Sequence, residues 1–148
     1  MTTPIQRQPL GDFIRRLTEP RRFLQVVAGP RQVGKTTLVR QAQQALARDP
    51  RHARLAQHSV SADNPGLVGA TWLATQWETA RALAAQAGTC ILVLDEVQKL
   101  PQWTSEVKRL WDEDTAAGRD LRVVVLGSAP LLIARGLTES MAGRFEMT

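Results

Sequence analysis

The sequence predicts an α/β fold: a parallel sheet with helices on both faces, in three layers. Three observations predict it. Short apolar runs of strand length recur along the chain, and stretches with helical periodicity lie between them. One run, Cys90-Ile91-Leu92-Val93-Leu94, is apolar without alternation, as a strand buried on both faces is. The chain has 148 residues, enough for one domain whose core needs no cross-link.

The elements follow in order. Leu10, Phe13, Ile14 and Leu17 recur at i, i+3, i+4 and i+7, which predicts a short amphipathic helix within a lead-in over residues 1–20. Glu19-Pro20 ends it, because the residue before a proline avoids the helical region. Residues 23–28 read as the first strand. A glycine-bearing turn follows, then a helix from about 35 to 47 that Asp49-Pro50 breaks. Residues 55–61 form a weaker, polar strand, and 62–66 a loop. The next helix spans about 71–86, with Trp72, Gln76, Ala80 and Leu83 on one face and Leu73, Trp77 and Ala84 beside it. Residues 90–94 are the third strand. Trp103, Val107, Leu110, Trp111 and Asp114 then line up on a helix that Gly118 terminates. Residues 121–126 are the fourth strand, 130–137 a short helix, and 144–147 the start of another strand. The four tryptophans sit on two helices and are read as packing residues.

Composition narrows the class. The apolar fraction is 43% and the charged fraction 22%, which excludes a mainly disordered chain. Cys90 is the one cysteine, so a disulfide scaffold is excluded too. No apolar run approaches the ~20 residues of a membrane span, and the N-terminus has no signal-peptide core. A soluble cytoplasmic protein without membrane contact is the expectation. Residues 1–60 carry eleven basic and three acidic side chains, and residues 61–148 eight basic and eleven acidic. Such a basic front half attracts polyanions in principle. Arg15, Arg16, Arg21, Arg22, Arg48, Arg51 and Arg54 are nevertheless read as solvated surface. Neither an RNA-binding aromatic pattern nor zinc-finger spacing is present, so nucleic-acid binding stays open but unsupported.

Gly29-Pro30-Arg31-Gln32-Val33-Gly34-Lys35-Thr36 fits the phosphate-binding pattern G-x-x-x-x-G-K-S/T without a mismatch, between a strand and a helix. The spacing has a physical cause. The loop must curl so that consecutive backbone N–H groups point at phosphate oxygens. Gly29 and Gly34 permit the dihedrals and the close approach. Lys35 reaches the β- and γ-phosphates, Thr36 offers a hydroxyl to Mg²⁺, and the helix N-terminus faces the same anion.

Two further features fit this loop. The third strand ends in Asp95-Glu96, on the ligand side of a parallel sheet. Asp95 is suited to hold Mg²⁺, and Glu96 to orient and deprotonate a water attacking the γ-phosphate. The fourth strand ends in Gly127-Ser128-Ala129, where Ser128 can contact the γ-phosphate or the water. Arg135 and Arg144 are candidates to stabilise phosphoryl charge, in cis or from a neighbouring subunit. No Asn-Lys-x-Asp motif occurs, which argues against a small GTPase, and His52 and His58 stand apart from any acid or thiol cluster.

Three segments, Gly-Pro-Arg-Gln-Val-Gly-Lys-Thr-Thr (29–37), Leu-Asp-Glu-Val-Gln-Lys-Leu-Pro-Gln-Trp (94–103) and Leu-Gly-Ser-Ala with Glu-Ser-Met-Ala-Gly-Arg-Phe-Glu (126–146), resemble the prokaryotic AAA-type ATPases. The resemblance implies a P-loop NTPase sheet of AAA+ order 5-1-4-3-2, with ATP and Mg²⁺ as ligands. It implies Gly34, Lys35, Thr36 and Thr37 at the phosphates and Mg²⁺, Asp95 at the metal, and Glu96 as catalytic base; with the loop reading, residues 29–37 are the expected nucleotide site and Thr36 and Asp95 the metal ligands. Gln98 and Lys99 match the family signature without a chemical role. Members commonly carry a second small polar residue where Ala129 stands. They also continue into a C-terminal domain, so the chain is expected to be a truncated ATPase domain whose fifth strand is only begun. Two other readings remain: a nucleotide-binding module with little turnover, and a small-molecule P-loop kinase. A homo-oligomer is left open.

Overall fold

The computed structural model describes residues 3–29, 35–52, 54–63, 71–100, 102–128 and 143–147. The described elements are α1 (Thr3–Thr18), β1 (Leu24–Gly29), α2 (Lys35–Arg48), β2 (Ala56–Ser61), α3 (Trp72–Ala87), β3 (Cys90–Asp95), α4 (Trp103–Ala117), β4 (Leu121–Ser128) and β5 (Phe145–Met147). Short 3-10 turns occupy Pro50–His52 and Val97–Lys99. All strand pairings are parallel, in the order β2-β3-β4-β1-β5. This is the expected P-loop NTPase order, and residues 145–147 do pair beside β1. The short helix expected over 130–137 lies outside the described residues.

The period of two along each strand divides the core into two layers. Cys90, Leu92, Leu94, Leu121, Val123 and Val125 face the helices α3 and α4. Ile91, Val93, Val124 and Leu126 face α1 and α2, meeting Phe13, Leu17, Val39, Ala42 and Leu46. The lead-in helix therefore closes one face of the sheet through Phe13 and Leu17. Burying each such side chain stabilises the fold by roughly 1.5–3 kcal/mol. Trp77, Trp103 and Trp111 are buried and Trp72 is half-buried, as expected of packing residues.

Two boundaries differ from expectation. β1 runs on through Gly29 and β4 through Ser128, and these two residues pair in register. The ladder continues where the residue pattern reads as turn, because parallel pairing asks for backbone groups and not for apolar side chains. On α3 the buried stripe is Leu73, Trp77, Ala80 and Ala84. Gln76 instead sits at the margin, within hydrogen-bond distance (2.9 Å) of His58 Nε2 on β2.

The arginines are also more structural than composition suggests. Arg21 stacks over Trp111 at 3.5 Å and donates to the carbonyls of Leu121 (2.8 Å) and Trp111 (3.1 Å). Arg122 donates to the Leu17 carbonyl at 2.5 Å, tying β4 to the end of α1. Arg16 donates to the Met147 carbonyl (2.9 Å), and Arg51 pairs with Asp49 (2.9 Å). The central ionic hub is Asp114, fully buried on α4. It accepts from Trp77 Nε1 (2.7 Å), Arg81 Nε (2.7 Å) and Arg119 Nη1 (3.0 Å). Among the described residues, no helix is long and apolar enough to cross a membrane.

Two predictions follow from this packing. Replacing Asp114 with Ala strands the buried Trp77 indole N–H and the Arg81 Nε–H, and should lower urea-unfolding stability by about 3 kcal/mol. Burial pushes the Cys90 thiol up to about 11. Native protein at pH 8 should therefore resist a thiol-specific disulfide reagent, and react fully once unfolded in guanidinium.

Candidate functional site

A parallel sheet gathers the carboxyl ends of its strands along one edge, and here that edge carries the predicted residues. Gly29 ends β1 beside Ser128 of β4. Asp95 ends β3 opposite Leu126 of β4 and Ser61 of β2. Asp95 thus stands two strands from β1, about 10 Å across the sheet. It shares the parity of Ile91 and Val93, so it belongs to the face that α2 covers. α2 packs on that face through Val39, Ala42 and Leu46. Its first turn, from Lys35, lies at the same edge because the helix runs back across the sheet after β1. That turn holds no acidic residue to compete for an anion. Thr37 is exposed. Pro30, Arg31, Gln32, Val33 and Gly34 lie outside the described residues, as do Ala129 and Arg135. A groove of about 240 Å³ opens beside Asp95, between Arg40 and Gln43 of α2 and Ser59 and Ser61 of β2.

The backbone turns sharply after Asp95. Glu96 adopts φ 57°, ψ 34°, the left-handed region, which costs a non-glycine residue about 1–2 kcal/mol. Val97, which opens the 3-10 turn, and Leu100, just after it, are buried and hold it against that cost. The Glu96 carboxylate accepts from Gln98 Nε2 at 3.1 Å and lies 3.6 Å from Lys99 Nζ, both at Oε2. Lys99 also donates to Asp63 Oδ1, just beyond β2. That bond is the largest influence on its ammonium and holds its pKa above the ordinary value, with Glu96 adding to it.

Gln98 and Lys99 matched a signature without a role, and the structure shows what they touch. Asp63 had no signal in the sequence. It reaches Lys99 across 36 residues only because β2 and β3 pair in parallel up to Ser61 and Asp95.

Arg144 is not brought to this edge. Its carbonyl accepts from the N–H of Leu24, the first residue of β1, so it lies about 16 Å of strand away from Gly29. Its guanidinium forms two bonds to Asp112, at 2.8 and 3.0 Å. Arg144 is thus placed with Asp112 beside the start of β1, and not beside Gly29.

The donors at the edge are hard oxygens: the Asp95 carboxylate and, by sequence, the Thr36 hydroxyl. No cluster of three or more His, Cys, Asp or Glu able to hold a metal occurs among the described residues. Mg²⁺ in a nucleotide site needs no such cluster, since one or two carboxylates, water and the phosphates complete its shell. The donor set therefore fits that ion.

An all-parallel sheet of this order, with a phosphate-loop sequence at the end of β1 and an acidic pair at the end of β3, defines a P-loop nucleotide-binding domain. Comparison with known families matches residues 21–148 to the AAA domain. The chain belongs to that family and is an AAA-type P-loop ATPase domain. No curated protein matches it.

The turn chemistry supplies a prediction. Gln102 is the other left-handed non-glycine residue among those described, at φ 55°, and it is exposed just before α4. Changing Gln102→Gly should stabilise the domain by about 1 kcal/mol in urea unfolding.

Proposed function

We propose that this domain binds ATP with Mg²⁺ and hydrolyses it. The observation that supports the reading most is the Asp95-Glu96 pair, set at the sheet edge two strands from Gly29 and on the side where α2 begins. In this reading residues 29–37 wrap the phosphates, with backbone N–H groups and Lys35 carrying the anion's charge. Thr36 and Asp95 would hold Mg²⁺, which would neutralise phosphate charge there when bound. Glu96 accepts a proton from water as the water oxygen bonds to the γ-phosphorus. The bond to the β-phosphate oxygen breaks, and ADP and inorganic phosphate leave. Ser128 stands at the tip of β4 to contact the γ-phosphate or the water. No phosphate role is proposed for Arg144 within one chain.

Lys35→Ala should weaken ATP binding at least tenfold in a fluorescent-nucleotide titration. Glu96→Gln should leave that affinity intact and lower phosphate release by about 10²–10⁴-fold. Equal affinity of the Lys35→Ala protein and its parent would sink the site assignment.

A further inference from the structure

The left-handed turn at Glu96 is followed at once by two side chains that return to it. Gln98 is 4% exposed, and its amide nitrogen donates to Glu96 Oε2 at 3.1 Å. Its amide oxygen is buried with no hydrogen-bond partner among the described residues. An apolar side chain of similar volume would fill that space without an orphaned acceptor. Filling space is therefore a poor account of a glutamine there. The one bond its side chain is seen to make is to the carboxylate.

Lys99 supplies the second hold. Its ammonium bridges the Asp63 carboxylate, beyond the end of β2, and Glu96 Oε2 at 3.6 Å. The anchor comes from a neighbouring strand, because Ser61 pairs with Asp95 and the Ala62 N–H donates to the Asp95 carbonyl at 2.9 Å. A general base needs this property. Its carboxylate must stand in one rotation, within hydrogen-bond reach of the proton it takes.

We propose that Gln98 and Lys99, with Asp63 behind Lys99, are positioning residues that hold the Glu96 carboxylate in its working orientation. The proposal rests on Glu96 acting as the base in ATP hydrolysis. Gln98 restrains the carboxylate from inside the turn, two residues on. Lys99 restrains it from the β2 side.

The test uses the full chain carrying Gln98→Met, Lys99→Met and Lys99→Arg, each alone and with Glu96→Gln. Gln98→Met and Lys99→Met should each lower kcat about tenfold or more, with ATP affinity within twofold of the parent. The urea midpoint of Gln98→Met should equal or exceed the parent's, since the orphaned oxygen is gone. Lys99→Arg should restore at least half the turnover. Neither Met substitution should lower turnover further once Glu96 is Gln, because both act through that side chain. Losses that add in the Glu96→Gln background, or that track a fall in the urea midpoint, overturn the proposal. A crystal structure of the Gln98→Met, Lys99→Met double variant gives a readout that needs no turnover. Glu96 should leave the parent rotamer or spread over several, and a single unchanged rotamer overturns the positioning role. A parent protein that binds ATP without hydrolysing it would defeat the functional reading, while the rotamer result would still decide the hold on Glu96.

Discussion

Parallel pairing of the strands is the constraint on which the rest of this structure depends. It requires helical crossovers, so both faces of the sheet are covered and the central strands must be apolar on both sides. β3 shows the consequence: Cys90 through Leu94 are all buried, and polar chemistry begins only at Asp95. The same pairing sends every strand's carboxyl end to one edge. Gly29, Ser61, Asp95 and Ser128 meet there although they are spread along most of the chain. The acidic pair cannot sit deeper in the strand without burying unpaired charge, and cannot sit further along without leaving the edge.

Charge is handled by pairing rather than by exposure. The excess of basic residues in the first 60 positions suggests a surface for polyanions, yet Arg16, Arg21 and Arg51 are committed to partners. Arg21 and Arg122 cap carbonyls of Leu121 and Leu17, joining chain ends to the sheet. Asp114 gathers Trp77, Arg81 and Arg119 between α3 and α4. These guanidiniums reach main-chain oxygens and a buried carboxylate in fixed directions, which a lysine ammonium does less well. Part of the arginine-rich composition is thus explained by the fold itself.

The site combines local strain with firm support. Glu96 holds a backbone conformation that glycine would adopt more cheaply, while Val97 and Leu100 anchor the turn in the core. Strain of this kind persists only where the surroundings over-determine it. Here it sets the side chain after Asp95 at the edge, where Gln98 and Lys99 meet it.

Residue types and spacing were enough to reveal the strand and helix sequence, the phosphate loop and the acidic pair. These signals are local: periodicity in α1 and α4, the apolar run of β3, and the glycines and Lys35 between β1 and α2. Parallel order across β2-β3-β4-β1-β5 followed from resemblance, and the structure has the same order. Other features needed the tertiary structure. Asp63 meets Lys99, Arg21 stacks on Trp111, and Arg144 lies at the end of the sheet opposite the loop. Each depends on how distant strands register, and the residues between them carry no periodic mark of it. Nearest-neighbour physics writes the elements and the loop into the sequence, whereas contacts across 36 or 90 residues exist only once the sheet has closed.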